Sequence, residues 1–218
     1  MANKVETPQQ DVMIEAKGKL ETFFEKRSKL ILWGLLIIAC VCVIFFFWRS
    51  RSESRARVAE ANAQVALVAA YDAIEINDYA AAAAAAEQVI SQYGDTDAAN
   101  LAAYIAGASY MKTGDFDNAR KYLAKYEAKE GVAADMINAM ALGLQGDIAV
   151  EQDDLQAAAG FFAKAAAAST DPVTEPMFLR KLAAVYAAQG EQEKAAECYR
   201  KIVEKYPAQA ASVEKYLK

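Results

Sequence analysis

Acidic pairs are the side chains of this sequence whose spacing comes closest to catalytic chemistry. Asp153 and Asp154 are adjacent, and Glu191 and Glu193 lie two residues apart. Two neighbouring carboxyl groups can divide the roles of general acid and general base between them. Each pair, however, follows a turn and precedes a helical pattern, where a carboxylate caps the free N–H groups of a helix. Helix capping therefore explains both pairs without any reaction.

The other reactive residue types are scarce. The 218 residues include no histidine, so the commonest general base and metal ligand is missing. Cys40 and Cys42 lie in an apolar run, and Cys198 stands alone with no histidine to activate its thiol. The sequence also lacks a glycine-rich phosphate loop. We therefore predict that the protein is not an enzyme, with no catalytic, cofactor-binding or metal-binding residues and no small-molecule substrate.

The composition indicates helices throughout. Alanine, the best helix former, is abundant from residue 59 onward, and only 4 prolines and 10 glycines occur. Residues 58–218 carry 14 Lys/Arg and 23 Asp/Glu, which gives this part of the chain a net charge of −9. The net charge of the whole chain is −5. Nucleic-acid phosphates require a basic face, so an acidic domain argues against nucleic acid as a partner.

An uncharged run covers residues 30–48, LILWGLLIIACVCVIFFFW. A helix of this length matches the hydrocarbon core of a bilayer, about 30 Å thick. Trp33 and Trp48 lie near its ends, where indole rings favour the membrane interface. We predict one transmembrane helix at 30–48 in contact with the lipid bilayer. Basic residues flank it on both sides: Lys26, Arg27, Lys29, Arg49, Arg51, Arg55 and Arg57.

The run has three other interpretations. A cleavable signal peptide has a shorter apolar region and a small-residue cleavage site, which this sequence lacks. The residues up to Cys40 resemble a lipoprotein signal, but eight further apolar or cysteine residues follow it. A buried helix of a soluble core is shorter and apolar on one face only. The lipoprotein signal remains the live alternative.

The tail before the run, residues 1–29, carries apolar residues at helical spacing with charges between them. This pattern is compatible with an amphipathic helix on the membrane surface and equally with a solvated, partly disordered tail. Residues 17–29 hold five basic residues against four in 49–57, which favours a cytoplasmic N-terminus and an exported C-terminal domain. The apolar residues of the tail are Val12, Met13, Ala16, Leu20, Phe23 and Phe24.

A signature of turn, acidic residue and alanine-rich helix recurs four times after residue 58. The turns start at Asn77, Gly114, Asp153 and Gly190, so the spacing is 37, 39 and 37 residues. A period of this size predicts stacked helical hairpins. A small residue lies five positions after the start of each turn, where the first and second helices of the hairpin approach closely. These residues are Ala82, Ala119, Ala158 and Ala195, and four positions later come Ala86, Leu123, Phe162 and Tyr199.

These positions resemble the tetratricopeptide repeat, most clearly in copies two and four. Copy three lacks the aromatic residue and the turn glycine, and copy one is mostly alanine. The resemblance implies an all-α, tetratricopeptide-type solenoid of helical hairpins, preceded by one transmembrane helix. The residues that carry it are Gly107, Tyr110, Gly114 and Ala119 in copy two, and Ala183, Tyr186, Gly190, Ala195, Tyr199 and Pro207 in copy four.

In such hairpin stacks the first helix of each repeat faces a concave groove. By register, the groove candidates are mostly apolar or flexible, a surface type that tolerates many protein partners. Helical spacing is equally compatible with their lying in the core between helices. The Lys/Asn/Arg set that clamps chaperone C-termini in this family is missing. The predicted partner-binding residues are Tyr71, Leu101, Tyr104, Met111, Met140, Met177 and Arg180, with Asp147 beside them.

The whole layout resembles the bacterial ancillary Sec-translocon subunit family. The resemblance rests on the ETFFE stretch at 21–25, the single span, and Trp48-Arg49 leading into an alanine-rich helix. It implies an inner-membrane scaffold with a periplasmic domain that contacts the Sec translocon and a membrane-anchored, prolyl-isomerase-type chaperone. The alternative is an envelope adaptor in cell division or outer-membrane assembly. The expected segments are a cytoplasmic tail at 1–29, the span at 30–48, a basic linker helix at 49–62 and the repeat domain at 63–218.

Overall fold

The computed structural model describes the backbone of residues 8–217, and in this part of the chain every regular element is a helix. The chain divides into two compact units, residues 1–57 and 58–218. Two short 3₁₀ helices, Pro207–Ser212 and Glu214–Tyr216, follow the last α-helix. The α-helices are α1 Pro8–Glu75, α2 Tyr79–Tyr93, α3 Asp97–Thr113, α4 Phe116–Leu123, α5 Val132–Glu151, α6 Leu155–Ala167, α7 Thr174–Ala188 and α8 Gln192–Lys205.

The first unit consists of the N-terminal part of α1. Among the described helices, α1 alone is long and apolar enough to cross a membrane. Its large apolar side chains, from Leu32 through Trp48, are exposed to the surroundings. The tail is helical from Pro8 onward, but the six side chains on which an amphipathic face would depend lie outside the described ones. The character of the tail therefore stays a prediction.

The second unit is a stack of four helical hairpins, which confirms the predicted fold class. The C-terminal part of α1 pairs with α2, and the later hairpins are α3–α4, α5–α6 and α7–α8. All four predicted turn residues adopt the left-handed backbone conformation, with φ between 59° and 80°. Glycine meets this requirement at two turns without steric cost, and Asn77 and Asp153 belong to the residue types that tolerate it best.

The acidic residue after each turn begins the second helix of the hairpin. The Asp78 carboxylate accepts a hydrogen bond from the N–H of Ala81, and Asp115 and Asp154 make the equivalent bonds in the next two repeats. Each carboxylate satisfies an N–H group that has no partner within its own helix. Glu191, in the fourth repeat, makes no such bond. The capping interpretation of the acidic pairs is thus confirmed for Asp154.

Small residues let the two helices of each hairpin approach closely. The four alanines that follow the turns by five positions are all buried. A Cβ atom on Gly107 would lie 2.5 Å from Leu123 Cγ, and one on Gly146 would lie 2.6 Å from Phe162 Cε1. Gly146 occupies in repeat three the place that Gly107 has in repeat two, seven residues before the turn. The third repeat is therefore more regular than its missing aromatic residue indicated.

The segment after α8 closes the C-terminal end of the stack. Val213, between the two 3₁₀ helices, is completely buried and belongs to the same apolar cluster as Ile202 of α8. The ring of Tyr216 stacks on Tyr199 with centroids 4.8 Å apart. We call residues 207–217 the C-terminal cap, because they cover apolar surface that a fifth hairpin would otherwise cover.

Candidate protein-binding groove

The predicted groove residues all lie on the first helix of a hairpin, at four positions relative to the turn, two of which recur in more than one repeat. Leu101, Met140 and Met177 lie 13 residues before the turn residue of their own repeat. Tyr104 and Arg180 lie 10 residues before it, which is about one helical turn further along the same face. Tyr71 and Met111 follow on α1 and α3 at 6 and 3 residues before the turn.

Exposure separates Tyr71 from the other six candidates. The Tyr71 side chain is 43% exposed on α1, whereas the others are half-buried. Tyr104 packs against the apolar cluster of repeats one and two and against that of repeats two and three, and Met140 and Met177 pack against the cluster of repeats three and four. Each half-buried candidate except Arg180 thus has one side in the core and one side toward solvent, and the set remains a prediction as a binding surface.

Polar side chains order the connection between repeats two and three, which is the longest between described helices. The side-chain amide of Asn100 donates to the carbonyl of Glu127 at 2.8 Å and accepts from its N–H at 2.7 Å. Asn138 Nδ2 likewise donates to the Lys129 carbonyl at 2.8 Å, and its Oδ1 accepts from the Tyr126 hydroxyl at 2.8 Å. Two asparagines thereby hold the segment 124–131 from α3 and α5.

This ordered connection places the ring of Tyr126 beside that of Tyr104. The rings of Tyr104 and Tyr126 are tilted at 58° with centroids 6.1 Å apart, an edge-to-face type of contact. Sequence reasoning missed Asn100 and Asn138, because they bind backbone groups of an irregular segment, and it missed Tyr126, because that residue lies within the segment. The only available signal was the interruption of the repeat pattern between Leu123 and Val132.

The charged members of the set are already engaged within the chain. Arg180 donates from Nη2 to Gln209 Oε1 at 2.6 Å and to Ser212 Oγ at 3.0 Å, so it holds the C-terminal cap. Asp147 accepts two hydrogen bonds of 2.7 Å from Lys181 Nζ, linking α5 to α7. These contacts leave the apolar and aromatic side chains as the groups best suited to bind a partner here.

The tyrosines of this surface stay neutral at physiological pH. Burial raises the pKa of Tyr71, and burial together with the neighbouring Tyr126 raises that of Tyr104. Outside the predicted set, the neighbouring Tyr110 donates a hydrogen bond of 2.6 Å to Glu87, which raises the pKa of Tyr110 to about 12. The surface therefore offers uncharged rings with hydroxyl groups, which suits apolar segments of a protein partner rather than a highly charged ligand.

The residues first considered for chemistry have structural roles where the structure describes them. Glu193 pairs with Arg200, and Glu191 pairs with Lys194. Burial raises the pKa of the Cys198 thiol, which keeps it in the unreactive protonated form. Across the described residues, no group of three or more acidic or cysteine side chains is arranged to hold a metal ion.

Comparison with known proteins agrees with this fold. The sequence profile of the family described as "Tetratricopeptide repeat-like domain" matches residues 21–142, and a second profile, "Tetratricopeptide repeat", matches residues 179–208. No curated protein matches the sequence. Two crystal structures of MamA have the same fold, both at 22% identity. The first match covers 71% of this chain and 87% of the MamA chain, with a TM-score of 0.54. The second covers 68% of this chain and 90% of the MamA chain, with a TM-score of 0.52.

Proposed function

Since the chain belongs to the family of tetratricopeptide repeat-like domains, a fold typical of non-catalytic scaffolds, we propose that it binds protein partners at a membrane surface. The observation that supports this best is the extent of the family match, which begins at residue 21 and so includes the apolar run along with the first two hairpins. The run and the first helix of the repeat stack are parts of one helix, α1. Membrane attachment and partner binding are then properties of one folded chain.

The finer proposal concerns the compartment and the partners. We propose a bacterial inner-membrane protein with a cytoplasmic N-terminus and a periplasmic repeat domain. Its partners would be the Sec translocon and a membrane-anchored chaperone of the prolyl-isomerase type. The support is the layout of the sequence: a short tail that contains the ETFFE stretch at residues 21–25, a single span, and an acidic helical domain after the span. The domain would then receive or hand over exported proteins close to their exit from the membrane.

Affinity purification of the full chain in mild detergent tests the partner assignment. We expect translocon subunits and the chaperone in the eluate, and we expect Tyr71→Asp to lower their yield several-fold. Tyr71 is the preferred probe because it is exposed, whereas Tyr104 and Met140 also pack in the core. Ala84→Asp, at an exposed position of α2, is the matched control. Absence of both partners from the eluate would leave the envelope-adaptor alternative.

The orientation has a separate test. A reporter enzyme that is active only in the periplasm, fused after Lys218, is expected to be active in intact cells. A stable fusion with an inactive reporter would place the repeat domain in the cytoplasm. Such a result would reverse the proposed topology and remove periplasmic chaperones as partners, while the protein-binding fold would be unaffected.

A further inference from the structure

The first helix of the repeat stack carries an apolar stripe on the side that faces away from the core. Its large members, Val58, Val65 and Val68, are 60%, 73% and 49% exposed, and Ala61 between them is exposed as well. The core-facing residues of the same helix include Ala63, Leu67 and Ala70, all buried. We call Val58, Ala61, Val65 and Val68 the outer stripe.

The spacing of the outer stripe is that of a coiled-coil seam. Its residues are separated by three, four and three positions, so they occupy a, d, a and d of two heptads. In this register the buried Ala63 and Ala70 fall at f positions, opposite the seam. Parallel two-stranded coils favour β-branched residues at a and leucine at d; this seam has valine at both a positions, and Ala61 and Val68 at d.

The edges of the seam are free of charge over the same length. The e and g positions beside it are Asn62, Gln64, Ala69 and Tyr71. Identical surfaces bring like charges together when they meet across a two-fold axis, and these four positions carry none. Charge returns at both ends of the seam: at Arg57 and Arg55, in g and e positions, before Val58, and at Asp72, in an a position, after Val68.

We propose that the outer stripe binds the outer stripe of a second copy of this chain, forming a parallel pair of α1 helices. The inference rests on the proposed membrane attachment. Nine residues separate the end of the apolar run from Val58 in every copy, so two copies in one membrane carry the seam in the same register. Two heptads of small side chains form a weak contact in solution, and confinement to the same membrane raises the effective concentration that such a contact needs.

Cysteine cross-linking in native membranes tests the pair. The full chain with Cys40→Ala and Cys42→Ala removes the thiols of the span, and Ala61→Cys or Val65→Cys is then added. After mild oxidation we expect a disulfide-linked homodimer from both positions, at least several-fold more than from Ala84→Cys, the exposed control on α2. Adding Val68→Lys to the Ala61→Cys chain should lower the yield several-fold.

Each outcome has a distinct meaning. Equal cross-linking at 61, 65 and 84, no cross-linking at all, or an adduct with a different protein would overturn the pairing. A carbonate wash of the same membranes reports on the proposed attachment independently. A chain that stays in the washed membranes without cross-linking contradicts the pair alone, whereas release of the chain into the wash contradicts the proposed membrane anchor.

Discussion

The two ends of the repeat stack are finished in different ways. At the C-terminal end, the cap folds back so that Val213 is completely buried. At the N-terminal end, α1 presents Val65 with 73% of its side chain exposed. A stack of hairpins has apolar surface at both ends, and each end needs a polar surface or a cover. The chain supplies a cover at the C-terminal end and leaves apolar side chains exposed at the N-terminal end.

Replacing one valine at each end gives the largest expected contrast. Val213→Asp should lower the free energy of unfolding by about 3 kcal/mol or more, because it removes buried apolar surface and buries a charge. Val65→Asp should change it by no more than about 0.5 kcal/mol, since the side chain is exposed in the single chain. Urea denaturation of the full chain, diluted in detergent, measures both. Similar losses at the two sites would contradict the difference between the ends.

The covered end should also depend on pH through Glu175. Its side chain is 3% exposed and accepts hydrogen bonds from Lys205 Nζ and Tyr206 Oη, both at 2.5 Å, and from Lys201 Nζ at 3.0 Å. Burial by itself would raise the pKa of Glu175, but the bonds from Lys205, Tyr206 and Lys201 outweigh it and lower the pKa below its ordinary value.

A lowered pKa in the folded state means that the carboxylate stabilises the fold above its unfolded pKa. This contribution is lost as the pH falls through the folded-state pKa. The unfolding free energy should therefore decrease between pH 6 and pH 3 more steeply for the natural chain than for Glu175→Gln, by roughly 1 kcal/mol. The uncharged variant should be less stable at neutral pH. Parallel pH profiles for the two chains would show that Glu175 contributes nothing to the difference.

Helix caps provide the smallest contrast between the end repeats. Asp78 caps α2 through its side chain, and Glu191 at the same place in the last repeat does not cap α8. Asp78→Ala should cost about 1 kcal/mol of unfolding free energy. Glu191→Ala removes only an exposed ion pair and should cost no more than about 0.5 kcal/mol. Thermal unfolding of the two variants side by side checks this, and an equal loss would disprove the assignment of the caps.

The sequence predicted the repeats well because their rules are local. Turn residues with left-handed backbone, the acidic residue after them and the small residue five positions on are all visible along the chain. The C-terminal cap and the bonds of Asn100 and Asn138 could not be predicted, since they depend on contacts between segments distant in sequence. For the same reason, register alone placed Arg180 among the groove candidates without indicating its bonds to the cap.

Site-specific photo-cross-linking from the groove in intact membranes tests the account most directly. A photoreactive residue at position 71 is compared with the same residue at position 84, which is exposed on α2. A membrane-anchored scaffold that binds through the first helices of its hairpins predicts a discrete adduct with a protein other than this chain from position 71, and none or far less from position 84. Equal labelling from both positions, or none from position 71 in a chain that remains in the membrane, would contradict it.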